Sequence, residues 1–283
     1  MRTEFVDVDG GRIAYDVQGE GPLVVLSHGM GDHRNAFRHL APLLARAGYR
    51  VASVDIRGHG ESSMNWTSHD GSTAISRTDV GGDLVAVVRH LGGPAVIVGH
   101  SLSGGAATVA AATAPDLISA VVEIDPFTKK QSLAFGALFT NSRYRRGLIR
   151  LATTGMFSSL SEWFKYLDIA YPLRPADHDE AMAALSAVLT EPGRMAEFMK
   201  TTKSTPADAH EHLPGVKCPA LLVFGTADPD WADPLAEAEA IAALMQPGLA
   251  TIELIDGSGH YPHADSADRV AAVVIPFLRK HLR

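Results

Sequence analysis

Val96-Ile97-Val98-Gly99-His100-Ser101-Leu102-Ser103-Gly104-Gly105 reads as a strand, a sharp turn and the start of a helix. An apolar, β-branched run ends at Gly99, and the small-residue segment Ala106 to Ala112 that follows has helical character. Ser101 stands at the apex. A turn of this kind strains the serine backbone, so a glycine or another very small residue must lie two positions to either side. Gly99 meets the first requirement. Ser103 occupies the second position, with Gly104 one residue later. Taken alone, the stretch also fits a glycine-rich strand-to-helix turn with an incidental serine. The rest of the chain separates the two readings.

On the N-terminal side, Glu4 to Val8 and Arg12 to Val17 alternate apolar and polar residues around Asp9-Gly10-Gly11, a hairpin signal at a sheet edge. Leu23-Val24-Val25-Leu26 is a continuous apolar run, expected of a strand covered on both faces. It leads into Ser27-His28-Gly29-Met30-Gly31-Asp32. A helix with Phe37, Leu40, Leu43 and Leu44 on one face follows, then a strand from Arg50 to Val54. That strand ends in Asp55-Ile56-Arg57-Gly58-His59-Gly60-Glu61-Ser62. Asp79 to Leu91 is a helix, its first turn weakened by Gly81-Gly82. Past Ser101, Ala120 to Ile124 is another strand. Strands and helices alternating with short loops predict a mostly parallel, eight-stranded sheet with helices on both faces, an α/β fold.

The alternation stops at Asp125-Pro126. Residues 126–213 carry helical periodicity, with Leu160, Trp163, Phe164 and Leu167 on one face and Met182, Leu185, Ser186 and Leu189 on another. This predicts an inserted helical cap between two parts of one core domain, residues 1–125 and 214–283. The cap's many aromatic and methionine side chains are expected mainly to pack its own core, with a few lining a cavity beneath it. His210 and His212 flank Glu211 in what reads as a solvated turn. The core resumes with the strand Ala220 to Phe224 and the loop Gly225-Thr226-Ala227-Asp228-Pro229-Asp230. A helix from about Pro234, a strand Thr251 to Ile255 and the loop Asp256-Gly257-Ser258-Gly259-His260 follow. A final helix from about Ser266 to Leu282 is expected to be interrupted at Pro276.

Composition narrows the function classes. The 283 residues are 46% hydrophobic and 20% charged, with a formal net charge of −7 spread without blocks. Nucleic acid and anionic membranes select basic patches and are not expected partners. Met1-Arg2-Thr3-Glu4 lacks the apolar core of a signal peptide, and no apolar run approaches the ~20 residues that span a bilayer. Cys218 is the only cysteine, which excludes an intramolecular disulfide. The expectation is a soluble, cytoplasmic protein. The 13 histidines show no metal-ligand spacing and no nucleotide-binding glycine loop occurs, so neither metal nor cofactor is expected.

In a parallel sheet the loops after the strand C-termini open on one edge, where ligands bind. Ser101, Asp228, His260 and His28-Gly29 each follow a different strand. Four loops thus bring a hydroxyl, a carboxylate, an imidazole and backbone amides to one edge. A serine hydroxyl needs a base to take its proton, and an imidazole base needs a carboxylate to fix its tautomer.

With Ser27-His28-Gly29, Asp55 to Ser62, Gly99 to Gly104, Phe224 to Asp228 and Gly257 to His260 in this order, nearly the whole chain resembles the α/β-hydrolase superfamily. The resemblance implies Ser101 as nucleophile, His260 as general base and Asp228 as its orienting acid. It also implies an oxyanion hole from the backbone N–H groups of Met30 and Leu102, and a cap after the sixth strand. Asp125 and Asp230 are rival acids, with Asp228 preferred for its Gly-Thr-Ala-Asp context. His263 lacks the preceding Gly-x-Gly of His260 and is rejected as the base. His28, Gly29, His100, Phe127, Trp163 and Trp231 are the candidate substrate contacts.

The expected activity is hydrolysis of a small, mainly apolar carboxylic ester or lactone. Perhydrolysis, C–C bond hydrolysis by the same triad, and a non-catalytic ligand receptor are the alternatives. Serine at 101 argues against dehalogenase and epoxide hydrolase relatives, which carry aspartate there.

Overall fold

A computed structural model describes residues 2–282. Eight strands form one sheet: β1 (Glu4–Val8), β2 (Gly11–Gln18), β3 (Leu23–Ser27), β4 (Arg50–Val54), β5 (Ala95–His100), β6 (Ile118–Ile124), β7 (Ala220–Gly225) and β8 (Ala250–Ile255). Their order is β1-β2-β4-β3-β5-β6-β7-β8. β1 pairs antiparallel with β2, and β2 antiparallel with β4; every other pairing is parallel. β3, β5 and β7 are buried at every position, as continuous apolar runs require. The antiparallel hairpin occupies one edge, where alternating burial suffices.

Each face of the sheet has its own core. Val25, Ile97, Val121 and Leu222 face the helices Arg77–His90 and Leu102–Thr113, and Val24, Val98, Val122 and Val223 face Leu40–Arg46 and Ala267–His281. Fully burying each such side chain stabilises the fold by about 1.5–3 kcal/mol. The helix Arg77–His90 opens with a capping box, Ser76 accepting from Asp79 N while the Asp79 carboxylate accepts from Ser76 N. Gly81 has a packing role, for a Cβ there would lie 2.9 Å from the Ala106 carbonyl of the neighbouring helix.

Between β6 and β7 the described residues form helices and no strand: Ala137–Thr140, Ser142–Phe157, Leu160–Ala170, His178–Leu189, Arg194–Thr201 and Ala207–His212. Three sequence expectations are corrected here and in the last helix. The buried face of Leu160–Ala170 is Trp163, Tyr166, Leu167 and Ala170, rotated from the predicted one because Tyr166 is buried. Most of the insertion's aromatic and methionine side chains are buried or half-buried, as expected, while Phe135, Phe139, Met156 and Phe157 are 70%, 85%, 74% and 68% exposed. His210 and His212 belong to a short helix, Ala207–His212, seated through buried Ala209. Pro276 does not interrupt Ala267–His281, since Val270, Ala271, Val274, Phe277 and Leu278 lie buried on both sides of it. Their packing outweighs the ~3 kcal/mol that an interior proline costs.

Candidate active site

Ser101 lies between the end of β5 and the helix Leu102–Thr113, with φ 55° and ψ −117°. For a residue with a Cβ this is strained backbone, costing of order 1–3 kcal/mol. The surroundings hold it there. Ser101 N donates to Ile124 O at 2.9 Å, and Ser101 O accepts from Phe127 N at 3.1 Å and Gly104 N at 3.0 Å. The turn is so tight that a Cβ on Gly99 would lie 2.1 Å from Ser103 O. The next close approach falls at Gly104, where a Cβ would meet Pro126 at 2.4 Å. Position 103 is therefore free to carry a side chain. The Ser103 hydroxyl donates to His28 O at 2.5 Å and lies 2.8 Å from Ser27 Oγ, tying the turn to the loop after β3.

That loop is splinted by two histidines. His28 Nδ1 donates to Gly29 O at 2.7 Å and its Nε2 accepts from Ile56 N at 3.1 Å. His59 Nε2 accepts from Gly31 N at 3.1 Å, while its Nδ1 donates to Arg57 O. Burial, with neighbouring His59, drives the His28 pKa well below the usual imidazole value. Burial brings His59 to about 4, despite the opposing Arg57 carbonyl. Both rings stay neutral, as these bonds require. His28 is fully buried, with no free ring nitrogen for a ligand. A Cβ on Gly29 would lie 2.8 Å from Ser101 Cβ, so loop and serine are in close contact. Among the described residues, the N–H groups of Met30 and Leu102 have no hydrogen-bond acceptor.

His260 follows β8. Its Nδ1 donates to Asp228 Oδ2 at 2.8 Å, and the Asp228 side chain is fully buried. The imidazole also faces Asp230 Oδ2 at 3.4 Å. Burial disfavours the imidazolium, but the charges of Asp228 and Asp230 outweigh it and raise the His260 pKa to about 8. Burial raises Asp230 to about 7, Asp228 adding to the shift and His260 opposing it. Asp125, after β6, is driven well above the ordinary carboxylate range by burial and by the charge of Asp228. Asp125, Asp228 and His260 bring three donor atoms within 4.8 Å of one another, a spacing that could hold a metal ion. Two of these residues are already hydrogen-bonded to each other, and Asp125 favours its neutral form, a poor donor set for a cation.

His100 Nε2 donates to His260 O at 2.7 Å, and the two rings lie 4.8 Å apart. His263 is buried with neither ring nitrogen hydrogen-bonded. Phe127 connects Ser101 and His260, its N–H on Ser101 O and its ring edge-on to His260 at 6.0 Å. Ser101 itself makes no hydrogen bond to His260 among the described residues.

A cavity of about 240 Å³ opens beside this cluster, lined among others by Phe127, Leu133, Tyr144, Leu148, Leu151 and Asp230. Trp231 lines an adjoining hollow of about 270 Å³ that shares Tyr144 and Asp230. Trp163 lines neither. It packs behind the loop after β3, where a Cβ on Gly31 would lie 2.8 Å from its ring. Sequence reasoning missed Tyr144, Leu148 and Leu151, and missed Tyr166, which donates to Asp230 Oδ2 at 2.8 Å. The 3–4 spacing of Trp163, Tyr166 and Ala170 was the available signal for Tyr166.

The strand order, the turn at Ser101 and the chain order Ser, Asp, His define a class of protein. The chain belongs to the alpha/beta hydrolase family, whose pattern matches residues 24–273. Over 283 aligned residues it is 28% identical to 2-(acetamidomethylene)succinate hydrolase of Mesorhizobium japonicum, covering 96% of this chain and 94% of that protein. Among solved structures it is similar to the enol-lactonase from Burkholderia xenovorans LB400, with TM-score 0.74, 21% identity and coverage of 98% and 100%. A thermophilic esterase from Thermogutta terrifontis gives TM-score 0.71, 22% identity and coverage of 99% and 100%. Among the described residues no helix is long and apolar enough to cross a membrane.

Proposed function

We propose that the protein is a serine hydrolase that cleaves a small, mainly apolar carboxylic ester or lactone through an acyl-enzyme on Ser101. The observation that carries this is the juxtaposition at one sheet edge. Ser101 is held at positive φ beside the acceptor-free amides of Met30 and Leu102, and His260 is oriented by Asp228.

Ser101 Oγ attacks the substrate carbonyl carbon as His260 Nε2 takes the hydroxyl proton. The carbonyl oxygen becomes an oxyanion that accepts from Met30 N–H and Leu102 N–H. One such donor is typically worth about 2.7–4 kcal/mol of barrier. The C–O bond to the leaving group breaks as His260 returns the proton to it. Water then attacks the acyl-enzyme with His260 again as base, releasing the acid and restoring Ser101. Asp228 keeps the Nδ1 proton in place and stabilises the imidazolium that forms in each half-reaction.

Residues 126–213 act as a cap. The cavity lined by Phe127, Leu133, Leu148 and Leu151 supports an apolar acyl or alcohol group of modest size. Cys218, the lone cysteine, is compatible with a reducing compartment such as the cytoplasm.

The test uses short p-nitrophenyl esters and a fluorophosphonate probe. The wild-type protein is expected to label at Ser101 and to turn over steadily. Ser101→Ala is expected to lose labelling and to reduce kcat by on the order of 10⁴-fold or more. Labelling without turnover, or more than a few per cent residual activity in Ser101→Ala, would overturn the assignment.

A further inference from the structure

The helix Leu160–Ala170 touches the base at two points. Its last residue accepts the backbone of the catalytic loop, His260 N donating to Ala170 O at 3.0 Å. The approach is close enough that a Cβ on Gly259 would lie 2.1 Å from the same carbonyl oxygen. One turn earlier, Tyr166 points its hydroxyl at the acid loop and donates to Asp230 Oδ2 at 2.8 Å. That same oxygen faces His260 Nδ1 at 3.4 Å. Asp230 N donates to Asp228 Oδ1 at 2.8 Å, so the two acids are locked to one another. The Asp230 side chain is 2% exposed and its Oδ1 has no partner. Tyr166 is 1% exposed and stacks on Trp163 with ring centroids 5.1 Å apart.

A buried carboxylate with an unpartnered oxygen is costly unless it serves a neighbouring cation. The neighbour here is the imidazole, which becomes cationic in each turnover. We propose that Asp230 and Tyr166 are positioning residues for His260. In this arrangement Asp230 is a second carboxylate on the Nδ1 proton, and Tyr166 holds it there from the insertion, so that seating of this helix sets the strength of the base. The proposal rests on the hydrolase reading above, because it assigns His260 as that base.

The groups facing His260 are Asp228 and Asp230 from the loop after β7, Asp125 after β6, His100 after β5, Tyr166 from the insertion, and Tyr261 and His263 from its own loop. Only the three aspartates bring negative charge. Asp125 favours its neutral form, and the Asp228 bond is shared with every reading of the site. Asp230 is therefore the group whose removal isolates the effect. Tyr166 stabilises the ionised form of Asp230 by donating to it.

The test is a pH titration of three variants, Asp230→Asn, Tyr166→Phe and the double substitution. It is read first as kcat/KM for a p-nitrophenyl ester. With one carboxylate gone the imidazolium is less stable, so the free base persists to lower pH. Asp230→Asn should move the midpoint of the pH–activity curve down by about 1 unit. Tyr166→Phe should move it in the same direction by less, and the double substitution no further than Asp230→Asn alone. The second readout needs no activity: NMR titration of the His260 ring in the Ser101→Ala protein, with and without Asp230→Asn. The same downward shift is expected there. If both readouts leave the midpoint in place while Ser101→Ala abolishes turnover, the positioning role is wrong and the hydrolase reading stands. If the ring titration shifts but Ser101→Ala retains activity, the hydrolase reading fails and the Asp230–His260 coupling survives.

Discussion

The His260 imidazole sits under two opposed demands, burial favouring its neutral form and two carboxylates favouring its cation. The carboxylates prevail, and the pKa stands near 8. A group raised in this way is protonated below its pKa, and a protonated imidazole cannot accept the Ser101 proton. We therefore expect kcat/KM for an activated ester to be low at pH 6, to climb through a midpoint near 8, and to level off above it. A midpoint at or below 6.5, the ordinary imidazole value, in a stopped-flow pH series would contradict this account. Ser103 yields a second expectation. Its hydroxyl links the serine turn to His28 O, so replacing it with the glycine more usual at that position should weaken the fold. Removing one buried hydrogen bond and leaving its partner unsatisfied costs about 1–3 kcal/mol. Ser103→Gly should lower the urea midpoint and kcat together, with Ser101 labelling as the probe of the turn.

The strands and the helices that cover them were legible in the chain because their buried faces repeat with the period of the backbone. Leu23 to Leu26, Val96 to Val98 and Ala220 to Phe224 are unbroken apolar runs, and all are central strands. The loops after them were legible through glycines that only a close approach explains, as Gly99 and Gly104 do. The helices of the insertion were less so. Tyr166 is polar by composition yet buried, because its single hydroxyl finds a carboxylate that no local pattern reveals. Pro276 looked like a break because tertiary packing on both sides of it leaves no mark at neighbouring positions. Asp230 ranked behind Asp228 on local sequence context, whereas its distance to His260 depends on where β7 and β8 lie in the sheet. At this level the test is steric. Gly99→Ala places a Cβ against the Ser103 carbonyl, an atom that cannot move without opening the turn. The variant is expected to lose fluorophosphonate labelling even where far-UV circular dichroism shows the sheet intact.

The molecule divides its labour by connectivity. A continuous sheet places Ser101, Asp228 and His260 beyond the ends of β5, β7 and β8, while one insertion between β6 and β7 supplies most of the cavity walls, with Pro229 and Asp230 completing them. Leu148 and Leu151 line that cavity from the helix Ser142–Phe157, away from the backbone that sets Ser101 and His260. Enlarging Leu148 to tryptophan should raise KM for longer acyl chains while leaving acetyl esters little changed. Equal losses on both substrates would place the acyl group elsewhere.

The bond from His260 N to Ala170 O limits how such a protein can diversify. A recombinant that exchanges the whole insertion for a homologue's would import a foreign mount for the histidine along with the new walls. Exchange restricted to segments outside Leu160–Ala170 leaves that mount intact. Libraries aimed at new substrates should therefore treat this helix as part of the chemical apparatus, though it lies in the region that looks most replaceable.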